Sequence, residues 1–204
     1  MELWQNERRL KAEGYNVICG CDEAGAGPLA GPVYAAAVIL PHELEIELLN
    51  DSKKLTPKRR EKLFDVIIEK ALAYAITSVS AEDIDNIDIL NARMLAMRLA
   101  VEQLDMKADY VLIDGNCDRG FLMPHETIIG GDGLSANIAA ASILAKVSRD
   151  RYMAQLDEKY PGYGFGKHMG YGTKAHYAAI DELGECPEHR KTFLRKYYAR
   201  KQQA

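Results

Sequence analysis

Cysteine is scarce in this chain and scattered: Cys19, Cys21, Cys117 and Cys186 are the four among 204 residues, and no two form a CxxC pair. That pattern excludes a disulfide-dense secreted scaffold and fits a reducing compartment. Cys19 and Cys21 lie two apart in an apolar run, so they are expected on one face of a strand as small buried hydrophobes. Histidine is thin as well, since His42, His125, His168, His176 and His189 form no HExxH and no His/Cys cluster along the chain. Nothing here marks a zinc centre. No apolar run approaches the ~18 residues needed to cross a bilayer. The opening residues MELWQNERRLKAEGYN lack the apolar segment of a secretion signal, so the expected setting is the cytoplasm.

What is present is ordinary in amount and uneven in placement. Hydrophobic residues at 48% and charged residues at 27% suit one α/β unit with a small appended lobe. The net charge of −4 hides a segregation. Residues 146–204 hold 12 Lys and Arg against 7 Asp and Glu, leaving 14 against 23 in residues 1–145. An acidic half that can hold cations, beside a basic, tyrosine-bearing tail, is compatible with a polyanion laid across both. A solvated basic helix explains the tail equally well.

Val17–Cys21 and Val33–Leu40 read as strands, separated by a GPLAGP segment that forbids regular structure. Thr56-Pro57 predicts a helix start, and Leu63, Phe64, Ile67, Ile68 and Ala71 recur at helical spacing after it. Leu72–Val79 is a third strand. Ser80 with Asp83 opens a helix that breaks near Asn86 and resumes through Leu90, Met94, Met97, Val101 and Leu104. Tyr110–Ile113 and Thr127–Ile129 are short strands, and Ser135 is placed to cap a helix from Ala136 to about Tyr160. A glycine- and tyrosine-rich loop, YGFGKHMGYGT, precedes two short helices, near Lys174–Leu183 and Glu188–Arg200. The predicted division is a core over 1–160 and a helical, substrate-binding lobe over 161–204.

Four acids stand where strands end or glycines turn the chain: Asp22, Glu23, Asp114 and Asp132. Each alone is adequately explained as a cap or turn residue. Together they predict a cluster, because strand ends of one sheet converge. Two carboxylates about 4 Å apart repel by ~4 kcal/mol at an effective dielectric of about 20. A divalent cation resolves that conflict, and two such ions ~4 Å apart clamp the attacking and leaving oxygens of a phosphodiester.

The segments DEAGAGPLAGP, DSKKLT, LIDGN, GGDGLSANIAAASILAKVSRDRYM and YGFGKHMGYGTKAHYAAIDELG, in this order, resemble bacterial ribonuclease HII. The resemblance implies a ribonuclease-H-like mixed β-sheet flanked by helices. It implies cleavage of the RNA strand of RNA–DNA hybrids and nicking 5′ of single ribonucleotides in duplex DNA, with Mn2+ or Mg2+ as cofactor, two ions acting together. Carried over by motif, Asp22, Glu23, Asp114 and Asp132 are the catalytic, metal-holding acids. Gly25, Ala26 and Gly27 are the loop that feels for the 2′-hydroxyl, and Tyr171 is the tyrosine that stacks beside the ribonucleotide. Lys53, Lys54, Ser135 and Lys146 are further expected substrate contacts, with Arg149 and Lys167 expected as phosphate contacts or as outer supports of the site. A monomer is expected.

Two departures from the family pattern stand out. The loop normally reads Gly-Arg-Gly, and here Ala26 replaces the arginine. Backbone groups can still approach the sugar, but the charge-assisted phosphate contact of a guanidinium is gone. Gly130 likewise stands where a lysine commonly precedes the Gly-Asp of the fourth acid. A hybrid-binding protein with impaired catalysis or weakened junction recognition is therefore the alternative reading.

Overall fold

The computed structural model describes residues 3–49 and 55–203. Five strands form one mixed sheet: β1 (Ile18–Ala24), β2 (Val33–Ile39), β3 (Ala73–Val79), β4 (Tyr110–Asp114) and β5 (His125–Ile128), in the order β3-β2-β1-β4-β5. β1, β2 and β3 pair antiparallel, whereas β4 runs parallel to β1 and β5 parallel to β4. The central strand is therefore β1, with the parallel half of the sheet beginning beside it.

Side-chain alternation on these strands builds two cores. Cys19 and Cys21 face one side with Ala35, Ala37, Val111 and Ile113, under helix α4 (Ile89–Glu102). The long helix α5 (Ala136–Lys159) covers the other side together with α2 (Pro57–Lys70). α5 lies so close to β1 that a Cβ on Gly20 would stand 2.3 Å from the backbone of Asn137. Only glycine permits that approach. The small residues Ala139, Ala140, Ala141 and Ala145 continue the close packing along the helix.

The predicted caps form as the sequence indicates. Thr56 Oγ1 accepts from the Arg59 N–H, Ser80 Oγ from Asp83 and Ser135 Oγ from Ile138, at 3.4, 3.0 and 3.2 Å. The break between α3 (Ala81–Ile87) and α4 falls at Asp88, whose φ is 65° and whose side chain caps α4.

Other boundaries differ from expectation. β1 does not stop at Cys21 but carries Asp22 and Glu23 within it, because both acids keep pairing with β2 at Ala36 and Ala35. β5 starts two residues earlier than expected, held by parallel pairing of His125 with Val111. A four-residue helix, α6 (Phe165–His168), sits inside the glycine-rich loop, anchored by the fully buried Phe165. α7 spans Lys174–Leu183, and α8 begins at Lys191 rather than Glu188.

The N-terminal helix α1 (Gln5–Ala12) was not foreseen. Its buried Glu7 takes the Ser135 hydroxyl at 2.6 Å and the Asn137 N–H at 3.2 Å, so a carboxylate from α1 sits on the N-terminus of α5. Charge there favours the helix dipole. Burial nevertheless raises the Glu7 pKa, the hydrogen bonds offsetting only part of the cost. No described helix is long and apolar enough to cross a membrane.

Candidate active site

Adjacent residues of a strand point to opposite faces, and that rule separates Asp22 from Glu23. Asp22 shares the α5 face with Gly20, and Ser142 of α5 hydrogen-bonds its carboxylate. Its Oδ1 also accepts from the Glu23 N–H at 2.6 Å. Glu23 faces α4 instead, where Arg93 Nη2 meets its Oε1 at 2.9 Å. The second oxygen, Glu23 Oε2, is buried with no hydrogen-bond partner.

Asp114 closes β4 on the α5 face. The parallel register pairs Cys21 with Ile113, and its next step sets Asp22 alongside Asp114. Asp114 Oδ1 accepts from the Gly131 N–H at 2.7 Å, which ties it to the 3-10 turn Gly131–Gly133. Asp132 is buried in that turn, one residue from the bond to Asp114.

The electrostatics record this convergence. Burial, then the charges of Asp114 and Glu23, push the Asp22 carboxyl well above the ordinary carboxylate range. Burial raises Glu23 also, Asp114 adding to it and Arg93 opposing it. Asp132 is not among the principal charges acting on either. Among the described residues, no three His, Cys, Asp or Glu side chains are already closed into a metal-ligand cluster. Asp22, Glu23 and Asp114 are nevertheless near enough for their charges to act on one another. An unpartnered buried carboxylate oxygen beside two further carboxylates is a donor set that fits a hard divalent ion.

Glu23 also borders a cleft of about 420 Å³ whose walls include Gly25, Ala26, Gly27, Lys146 and Tyr171. The structure therefore brings the predicted loop, lysine and tyrosine to one opening beside the acids. Tyr171 is 49% exposed, and its ring lies 3.6 Å from where a Gly27 Cβ would be. Lys146 Nζ bonds Asp150 one turn along α5 at 2.6 Å. Ser142 lines the same cleft, as does Arg60, which sequence reasoning did not place there.

One expected contact is corrected. Ser135 is completely buried, its hydroxyl consumed by Glu7 and by capping α5, so it cannot touch a ligand. Arg149, expected as a phosphate contact or as an outer support, borders the cleft but is 1% exposed and donates to the carbonyls of Pro32, Met169 and Ala30 at 3.1, 3.1 and 3.2 Å, the arrangement of a support. Lys53 and Lys54 lie outside the described residues, and Lys167 is exposed on α6.

Beneath Tyr171 three imidazoles cluster, His176 and His189 joined by a hydrogen bond and His168 stacked on His176. The Cys186 N–H donates to His189 Nδ1 at 2.9 Å, which leaves the His189 proton on Nε2, facing His176 Nε2 at 3.1 Å. His176 then donates from Nδ1 to the Tyr171 carbonyl at 3.0 Å. His168, stacked on His176 with centroids 4.4 Å apart, donates from Nε2 to Tyr163 O and accepts from Gly170 N. Both nitrogens of each ring are in use.

Sequence reasoning missed Arg93, Arg190 and this imidazole set. Arg93 left a signal: it precedes the buried Met97 and Ala100 by four and seven residues, inside the apolar stripe of α4. Arg190 left none, because its partners lie about 160 residues away.

Comparison with known proteins agrees with this geometry. The family model for Ribonuclease HII matches residues 19–201. A Ribonuclease HII of Caldicellulosiruptor saccharolyticus is 53% identical over 189 residues, covering 93% of this chain and 92% of the relative. The crystal structure of ribonuclease H2 from Pyrococcus horikoshii OT3 superposes with a TM-score of 0.75 at 25% identity, over 93% of this chain and 100% of that one. Bst-RNase HIII in complex with Mn2+ shares the fold, with a TM-score of 0.62 at 17% identity, over 88% of this chain and 65% of that one. A mixed sheet with acids on its two central strands, matched along nearly its whole length, makes this chain a member of the ribonuclease HII family.

Proposed function

We propose that this type 2 ribonuclease H cleaves the RNA strand of RNA–DNA hybrids and nicks duplex DNA 5′ of a single embedded ribonucleotide. The products carry 3′-hydroxyl and 5′-phosphate ends. One observation carries the reading: Asp22 and Asp114 stand side by side on the two central strands, and Glu23, with its unpartnered oxygen, links them to the cleft.

In this reading Asp22, Glu23, Asp114 and Asp132 hold Mn2+ or Mg2+, two ions acting together. Bound divalent ions supply an activated water and charge neutralisation for in-line displacement at phosphorus. The chain's own contribution is orientation. Ser142 and the Glu23 N–H fix Asp22, Gly131 fixes Asp114, and Arg93 holds one oxygen of Glu23 so that the other stays free. Such outer partners set ligand geometry.

The substrate lies along the cleft in this proposal, with Tyr171 stacking at the ribonucleotide and the Gly25–Gly27 backbone meeting its 2′-hydroxyl. Lys146 adds positive charge for a phosphate, and the helices after residue 160 form the basic wall. The protein acts as a cytoplasmic monomer. Ala26 favours a second reading, a hybrid binder with feeble catalysis, because it removes a cation from the recognition loop.

The deciding assay uses three matched duplexes: one with a single ribonucleotide, one an RNA–DNA hybrid and one all DNA. Mn2+- or Mg2+-dependent nicking at the ribonucleotide, stopped by a chelator, is the expected result. Tight binding without nicking supports the second reading, and equal cutting of the all-DNA duplex overturns both.

A further inference from the structure

We infer that Arg190 is a positioning residue for ribonucleotide recognition: its buried guanidinium, reaching from the start of α8, sets the peptide planes of the Gly25–Gly27 loop. The inference rests on reading that loop as the wall that meets the ribose.

Arg190 is completely buried, although a guanidinium is costly to remove from water without partners. Its partners are backbone carbonyls of one loop. Nη2 donates to Gly25 O at 2.7 Å, Nη1 to Ala26 O at 3.0 Å and Nε to Gly31 O at 2.9 Å. The Arg190 backbone N–H adds a bond to Leu29 O at 2.8 Å. The nearby acid Asp85 accepts instead from the N–H groups of Lys191 and Thr192, at 2.7 and 2.9 Å, which fixes the start of α8. A single side chain thus holds both ends of the 25–31 segment.

The consequence follows from peptide geometry. All described peptides are trans, so each carbonyl points opposite to the N–H of the next residue. With the carbonyls of Gly25 and Ala26 drawn inward to Arg190, the N–H groups of Ala26 and Gly27 turn outward. The outward side is the cleft that Gly25, Ala26 and Gly27 line. Gly25 has φ of 95°, and a Cβ there would stand 1.9 Å from Arg149 Nε, so the loop rests on a second buried guanidinium.

This arrangement matters more here because residue 26 is alanine. With no cationic side chain on the loop, its own contacts to the ribose fall to the backbone donors. Two N–H groups in fixed orientation donate to an oxygen and are left unpaired when it is absent, which is how a site rejects an analogue lacking a hydroxyl. Arg190 touches neither substrate nor ion in this scheme and acts only through the loop.

The test compares the parent with Arg190→Lys and Arg190→Gln on duplexes differing in one 2′-hydroxyl. Binding preference, kcat, KM and calorimetric Mn2+ uptake are measured. The parent is expected to prefer the ribonucleotide duplex. In the variants that preference should fall about tenfold or more through Kd and KM, with Mn2+ uptake unchanged and Lys retaining more preference than Gln. Unaltered preference in the variants overturns the inference alone. So does a loss that tracks kcat and Mn2+ uptake together, as a loosened fold would produce. A parent without ribonucleotide preference overturns the functional reading itself. A measurement on the parent stands independent of variant folding: amide 15N order parameters at Ala26 and Gly27 near ~0.85 are expected, and values below ~0.6 overturn the inference.

Discussion

The acid site and the loop platform treat buried charge in opposite ways. Around Asp22, Glu23 and Asp114, like charges are crowded together, one carboxylate oxygen is left without a partner and burial works against ionisation. Around Arg149 and Arg190, the directed donors end on carbonyls, and the three imidazoles below them have every nitrogen in use. Three crowded carboxylates, one with an unpartnered oxygen, are what marks the candidate site. Satisfied electrostatics mark the scaffold that orients it.

The largest expected effect comes from relieving the crowding. Asp22→Asn should lower the cleavage rate on the order of 10³-fold, since several kcal/mol of ion-mediated stabilisation go with the ligand. The same variant should make the metal-free protein more stable by about 1 kcal/mol, a rise of ~2–4 °C in Tm, because a repelling buried charge is gone. Loss of both activity and stability would show that the acids are held by structure rather than poised against it.

Next comes damage to the satisfied region. Gly25→Ala places a methyl where Arg149 already is, at a backbone conformation that disfavours any Cβ. A cost of about 2–3 kcal/mol is expected in urea unfolding, with ribonucleotide preference falling alongside it. A neutral Gly25→Ala would break the comparison, for it would mean that the loop is not pressed on Arg149.

How far the sequence carries these regions differs in the same way. The sheet order is not written in local pattern, but its strands are, and so are the caps at Thr56, Ser80 and Ser135, since each depends on neighbours within a few residues. The acids were legible because glycine and strand ends announce them. Alternation also placed Asp22 and Glu23 on opposite faces, a consequence visible in the sequence once the strand is extended to Ala24. The scaffold was not legible. Glu7 caps a helix more than a hundred residues away, Arg190 bonds carbonyls that any residue supplies, and α6 lies between left-handed Gly164 and Met169, where four residues look like loop. Side chains that serve backbone atoms leave no complementary residue to find.

Acid separates the two regions by sign. Unfolded, His176 titrates near ~6.5. Folded, burial first and then the neighbouring His168 and His189 hold it down to about 4. Between those values the unfolded chain takes up the proton, so the platform loses stability as pH falls, and the loss is complete below about 4. Asp22 behaves inversely: its raised folded pKa makes the folded, metal-free protein bind a proton first, and stability is gained as pH falls through that value. Urea unfolding from pH 7 to 4 should therefore show the parent losing its advantage over His176→Gln by on the order of 2 kcal/mol. Over the same range Asp22→Asn should lose its advantage over the parent. Both gaps moving the same way would end the distinction.

The smallest effect sharpens the boundary between the regions. Ala26 sits on the loop that Arg190 holds, yet its side chain borders the cleft, so Ala26→Arg adds a cation without displacing a scaffold contact. One new phosphate contact should steepen the salt dependence of duplex binding by about one unit in the log–log slope. Affinity for all three duplexes should rise together, because a phosphate contact carries no information about the sugar. The ratio of affinities for ribonucleotide-containing and all-DNA duplexes should then change little, which places discrimination in the backbone N–H groups. If the ratio rises with the arginine while the salt slope stays fixed, the side chain at position 26 reads the sugar directly, and the loop carbonyls held by Arg190 cease to be what sets specificity.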